Sequence, residues 1–243
     1  MKCLITVGVF LLLSVPAIGQ IEMNWGVGVS YNTHFFIHEN KDKFENSFFK
    51  PDIAHLPRIN TYIDLNTGSA FQFRLDLNLG EKKIIHSNKQ TIPSGGRLKQ
   101  YIKHEIISAD LSFLSYYSLS RGKMGEFRPL VGFYISMNQY TGIVHGSSIS
   151  SRGGPNHINE NDLFPVILEV EQYPFMLYAG INLGLSYSTK IAKRDVEFFG
   201  LFYFSPSNLF SSDFGYYANF QQETLNGKYH YFSLGMNLKL KRK

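Results

Sequence analysis

Acid–base or nucleophilic chemistry needs a histidine within reach of an acid, a hydroxyl or a second metal ligand. Three places in this sequence offer such a neighbour: His34 with His38, His104 with Glu105, and His145-Gly146-Ser147-Ser148. His230 stands apart from them. The third place supplies a base and two hydroxyls but no acid to orient the ring, so it lacks the third member of a triad. His34 and His38 are four apart and would share one face of a helix, where they could hold a metal. No further ligand stands at useful spacing, so the pair reads as loop histidines. His104 and Glu105 point to opposite faces if their segment is a strand. Gly26-Val27-Gly28 lies within a strand, and Gly95-Gly96 is not followed by Lys-Ser or Lys-Thr, so neither is a phosphate loop. No catalytic, metal or cofactor-binding residue is assigned on these grounds, and no cofactor is expected.

A second group of residues has chemistry of another kind. Asp64, Arg74, Asp76 and Asp110, together with Glu197 and Lys239, are read as the inward charges on the polar faces of the segments. Charges placed that way require partners, because a low-dielectric interior penalises an unpaired one. A turn over residues 67–69 sets Tyr62 opposite Arg74 and Asp64 opposite Gln72, with Asp64 and Asp76 flanking Arg74. The expected result is a lumenal charge cluster that fills a barrel and stops conduction.

The elements that must hold these residues alternate with a period of two. Phe71, Phe73, Leu75, Leu77 and Leu79 oppose Gln72, Arg74, Asp76 and Asn78, a pattern that no helix period fits. Similar strands are predicted over 23–31, 58–65, 101–119, 127–140, 175–187, 196–204 and 229–240. Over 196–204 both faces are apolar, and its inward face is not assigned. The connections alternate in length. Those near 66–69, 120–126 and 190–195 are short. Those near 32–57, 81–100, 141–172 and 205–228 are long, and the first and last carry clustered aromatics.

The N-terminus reads as an export signal over 1–19: Lys2, an apolar run from Leu4 to Val15, then Ala17 and Gly19 before a cut. The domain that follows spans 20–243. The single cysteine, Cys3, lies inside the signal, which excludes disulfides and thiolate chemistry from the remainder. The net charge of +5 is too mild to indicate nucleic acid, which is not expected as a partner.

Eight alternating segments of about ten residues suit tilted strands crossing a bilayer. The fold expected is an all-β, eight-stranded antiparallel up-and-down transmembrane β-barrel in the cell outer membrane. A soluble lipocalin-like barrel is the rival. Roughly three dozen large apolar side chains would overfill an eight-stranded interior, so the apolar face belongs outside.

On these strands the chain resembles the small outer-membrane β-barrel proteins of Gram-negative bacteria. Its last strand, Phe232 to Leu240, is similar to the assembly signal read by the outer-membrane insertion machinery, with Ser233, Gly235, Leu238 and Leu240 in the motif positions. It departs by ending in Lys241-Arg242-Lys243 and not in an aromatic. The resemblance implies lipid and the insertion machinery as partners. The role expected is non-enzymatic: structural, adhesive or part of an envelope complex, through long extracellular loops and a cell-surface or envelope protein partner. A lipid-modifying barrel enzyme is the alternative.

Overall fold

The computed structural model describes residues 22–38, 50–66, 71–91, 97–122, 125–150, 166–169, 175–205, 210–216 and 221–240. The expected export signal, residues 39–49 with Phe44, Phe48 and Phe49, and the tail 241–243 lie outside the described residues.

Twelve strands follow in chain order: β1 (Glu22–His38), β2 (Lys50–Asp52), β3 (Ala54–Asn66), β4 (Phe71–Thr91), β5 (Arg97–Tyr117), β6 (Ser120–Gly122), β7 (Gly125–Ser150), β8 (Val166–Glu169), β9 (Phe175–Ile191), β10 (Arg194–Phe204), β11 (Phe210–Tyr216) and β12 (Gln221–Leu240). Eight of them form the wall in the order β1-β3-β4-β5-β7-β9-β10-β12, each antiparallel to the next, and β12 pairs with β1 to close the ring. This is an eight-stranded up-and-down barrel. The four short strands lie outside that ring: β2 on β4, β6 on β7, and β8 on β11, which pairs with β12.

The ring has a measurable stagger. Asn24 pairs with Asp64, Asp64 with Arg74, Arg74 with Leu114 and Leu114 with Gly132. Gly132 leads through Asn182, Tyr203 and Tyr231 back to β1 at His34, ten residues beyond the start. A shear of ten on eight strands tilts them by roughly 40° and gives a wall radius of roughly 8 Å.

Period-two alternation decides the two faces. Ile59 and Leu177 stand outward, 66% and 64% exposed, as do Val29, Phe71, Phe133 and Leu183. Asn60, Asn78, Ser136, Asn182 and Asn237 point inward and are buried. The outward apolar band runs from Phe71 to Leu79 on β4, about 20 Å high from first Cα to last at this tilt, near the height of a membrane barrel's band. Above it the outer face turns charged: Lys83 on β4 stands across from Glu105 on β5 and meets Glu81 at 2.9 Å, and Lys103 meets Glu105 at 2.6 Å. At that boundary β7 carries an extra residue, Thr141, whose Oγ1 donates to the Glu105 carbonyl at 2.9 Å. A bulge of this kind locally increases the twist where the strands leave the band.

Much of what was expected as long loop is strand. β4 and β5 pair from Phe71↔Tyr117 up to Thr91↔Arg97, and β1 runs to His38. His34 and His38 therefore lie on a strand and share no helical face. The turn after β3 is also different: Asp64 faces Arg74 and Tyr62 faces Asp76. That is a slip of two residues, which keeps every side chain on its face. It brings the Arg74 guanidinium directly across from the Asp64 carboxylate.

Candidate functional site

The lumen holds its charges in two layers. In the lower one, Arg74 on β4 grips Asp64 on β3 through Nε at 2.7 Å and Nη2 at 3.1 Å. The same guanidinium reaches across to Glu197 on β10, through Nη1 at 2.6 Å and Nη2 at 3.0 Å. Tyr62 lies under its face, 4.2 Å from the ring centroid. Asn237 Nδ2 donates to Glu197 Oε2, the oxygen that also takes Arg74 Nη1, at 3.0 Å. Four donor contacts to two carboxylates fix a planar group in one orientation.

The upper layer is centred on Asp110 of β5. Arg58 Nη1 reaches one of its oxygens at 2.5 Å and Lys82 Nζ the other at 2.7 Å. Tyr231 donates to Asp110 at 2.6 Å, and Lys82 also donates to Ser136 Oγ and the Tyr178 hydroxyl, each at 2.7 Å. Between the layers Tyr203 stacks on Tyr231 at 4.1 Å, with Tyr134 edge-on to Tyr203. All these side chains are buried.

The four charges singled out from sequence are thus not one cluster. Asp64 and Arg74 pair, Asp110 belongs to the other layer, and Asp76 lies between them in no ion pair among the described residues. Glu197, not Asp76, is the second partner of Arg74. The sequence reading passed over Arg58 and Lys82. Lys82 continues the inward series Asp76, Asn78, Gly80, and that spacing was the signal available.

Below the lower layer the barrel opens into a vestibule of about 580 Å³, lined by Arg128, Glu126, Lys190, Asp195 and Lys239 among others. It lies at the end with the short turns and the strand termini Glu22 and Leu240. Arg128 closes on Glu126 at 2.6 Å and approaches Glu197 at 3.6 Å. Lys239 thus faces the mouth of the lumen.

The histidines are dispersed. His34 faces inward and bonds the Tyr229 hydroxyl. His104 faces inward beside Tyr140, 3.2 Å from its hydroxyl, while Glu105 faces out. His230 faces outward, flat against Phe204 at 4.7 Å, and accepts from the Ser205 amide at 3.2 Å. Residues 143–150, with His145, Ser147 and Ser148, are strand backbone whose side chains are not described. Among the described residues no three potential ligands gather as a metal site.

In the last strand, Ser233 and Gly235 face inward and Leu238 and Leu240 face outward. Gly235 has a packing reason of its own: a Cβ there would overlap the Phe199 ring. Phe199 and Leu201, the residues that blurred the faces of 196–204, point inward over Gly235 and Gly184.

An apolar band on the outside of a closed antiparallel ring, around a lumen of ion-paired charges, inverts the arrangement of a soluble protein. The chain is built as a transmembrane β-barrel. No protein-family model and no curated protein matches its sequence. Among solved structures it is similar to the attachment invasion locus protein Ail of Yersinia pestis in complex with the heparin analogue sucrose octasulfate. That likeness has 6% identity, covers 90% of this chain and 99% of that one, and has a TM-score of 0.38. OprG from Pseudomonas aeruginosa follows at 9% identity, 90% and 95% coverage and a TM-score of 0.40. The outer membrane protease OmpT from Escherichia coli has 9% identity, 93% and 99% coverage and a TM-score of 0.30. These are likenesses of barrel architecture; the eight-strand closure is established by the strand pairing itself.

Proposed function

We propose that this protein is a non-enzymatic component of the outer membrane that acts through the part of the barrel standing clear of the bilayer. The observation that carries this reading is the continuation of β4 and β5 as paired strands for about ten residues past the apolar band. A barrel that only needed to span would end near Leu79 and Ile107. The projecting strands stand at the end of the barrel opposite the short turns. The lower connections, by contrast, are short, and β9 and β10 are joined by Ala192 and Lys193 alone.

The two ion-paired layers favour a structural lumen over a conducting one, because eight strands leave an interior that side chains can fill. Lipid is the partner of the band. The insertion machinery is the partner of the last strand during assembly. A cell-surface or envelope protein is the partner proposed for the projecting strands and the segments they carry. Deleting residues 40–50 is expected to leave heat-modifiable migration of the barrel intact and to abolish recovery of that partner in a pull-down from native membranes. Retention of every co-purifying protein would remove this segment as the contact surface.

A further inference from the structure

Seven ionisable side chains are sealed between the vestibule and the top of the band, each less than 5% exposed: Arg58, Arg74 and Lys82 against Asp64, Asp76, Asp110 and Glu197. Carboxyl groups outnumber cations by one. Asp64 and Glu197 each take two contacts from Arg74, and Asp110 takes contacts from two cations and a phenol, so all three have a cationic partner. Among the described residues Asp76 has a single hydrogen bond, a long one of 3.4 Å from Asn78 Nδ2. Arg74, two residues along the same strand, is committed to the other two carboxylates.

The other titratable groups of this lumen offer no compensation. They are Tyr62 from β3, Tyr116 from β5, Tyr134 from β7, Tyr178 from β9, Tyr203 from β10, Tyr229 and Tyr231 from β12, and, toward the upper end, His34 from β1, His86 from β4 and His104 from β5. The phenols are neutral in the ordinary pH range, and the histidines lie beyond the upper layer, away from Asp76. Asn78 and Asn60, which face each other across β3 and β4, carry buried carboxamide oxygens that receive no donor among the described residues. Directly across from Asp76 stand two neutral hydroxyl groups, Tyr62 and Ser112, and no cation is committed to it among the described residues, a setting suited to a carboxylic acid and costly for a carboxylate.

We infer that Asp76 holds a proton in the folded barrel, and that this proton completes the packing between the two charge layers. Folding then takes up a proton that the unfolded chain gives up at neutral pH. By linkage, barrel stability falls as the pH rises. This inference is independent of what the projecting strands touch.

The test compares wild type, Asp76→Asn and Asp64→Asn refolded into lipid vesicles and unfolded in urea. Trp25, the only tryptophan and a lipid-facing one, serves as the probe. Between about pH 4, where an unfolded aspartate begins to ionise, and about pH 8 the wild-type urea midpoint is expected to fall. Asp76→Asn, which keeps shape and neutrality, should match wild type at the acid end and exceed it at the alkaline end. Asp64→Asn should be weaker throughout. A pH dependence identical in wild type and Asp76→Asn would overturn the inference, as would an Asp76→Asn loss equal to that of Asp64→Asn. So would a midpoint set by the identity of the monovalent cation and not by pH. If Asp76→Asn does not fold, infrared spectra of the wild type decide: a protonated-carboxyl band should persist at neutral pH, and its absence refutes the assignment.

Discussion

Arg74 is the residue on which the lower lumen depends. It contacts two buried carboxylates from two strands, β3 and β10, that are far apart around the ring. Arg74→Ala strands both, and leaving buried charges unpaired costs about 3–5 kcal/mol. We expect a loss of that size in urea unfolding of the vesicle-bound barrel. Two glycines make a sharper contrast. A Cβ at Gly235 would overlap the Phe199 ring and the Val29 carbonyl; at Gly200, on the outer face, its nearest neighbours are side-chain carbons of Leu234 and Phe232 at 3.4 Å. Gly235→Ala is therefore expected to reduce the yield of folded barrel, read as heat-modifiable migration, while Gly200→Ala leaves it unchanged. Equal yields would show that the Phe199 ring can move aside.

Elements were legible from sequence wherever one face met lipid and the other did not. Phe71 to Leu79 is the clearest case, because five large apolar residues alternate with polar ones. The alternation disappears at Glu81 and Lys83, where the outer face leaves the band and becomes charged while the inner face continues with Lys82, Ile84 and His86. Apolar periodicity ends there, so it carries no signal for Lys82 or for its partnership with Asp110. Arg58 was overlooked for a related reason: it sits at the edge of a predicted strand, and its partner lies 52 positions on. The partnership of Arg74 with Glu197, 123 positions away, was likewise beyond a reading of neighbouring strands. Two predictions belong at this scale. Leu75→Arg, on the lipid face of β4, is expected to cost roughly 2–4 kcal/mol in vesicle unfolding. The hairpin between β9 and β10 turns on Ala192 and Lys193, with φ of 49° and 68°. Residues with a side chain pay roughly 1–2 kcal/mol for that region, so Lys193→Gly should raise the urea midpoint modestly.

At the scale of the molecule, a shear of ten fixes a lumen that side chains can fill, and here the filling is two charge layers with tyrosines between them. Planar-bilayer recordings of the wild type are expected to be silent, and steady unitary currents would contradict a filled lumen. The sequence could supply the polar inner face but not the depth at which each charge sits. Depth follows from the stagger of the strands, and the stagger depends on turns such as the one after β3, whose register differs by two from the value expected.

The seam where β12 meets β1 joins Trp25 to Leu240, residues more than two hundred positions apart. It also fixes an order of events. The ring cannot exist until the final strand has been made, so closure is necessarily a late step of folding. Before that step β1 and β12 are open edges whose backbone groups have no partners, a state that hydrocarbon penalises by several kcal/mol per group. Pairings of such long range also form slowly compared with the local hairpins. The unfinished sheet must therefore be sheltered for as long as its two ends have not met, and the lifetime of that interval is set by the seam, not by the strands between.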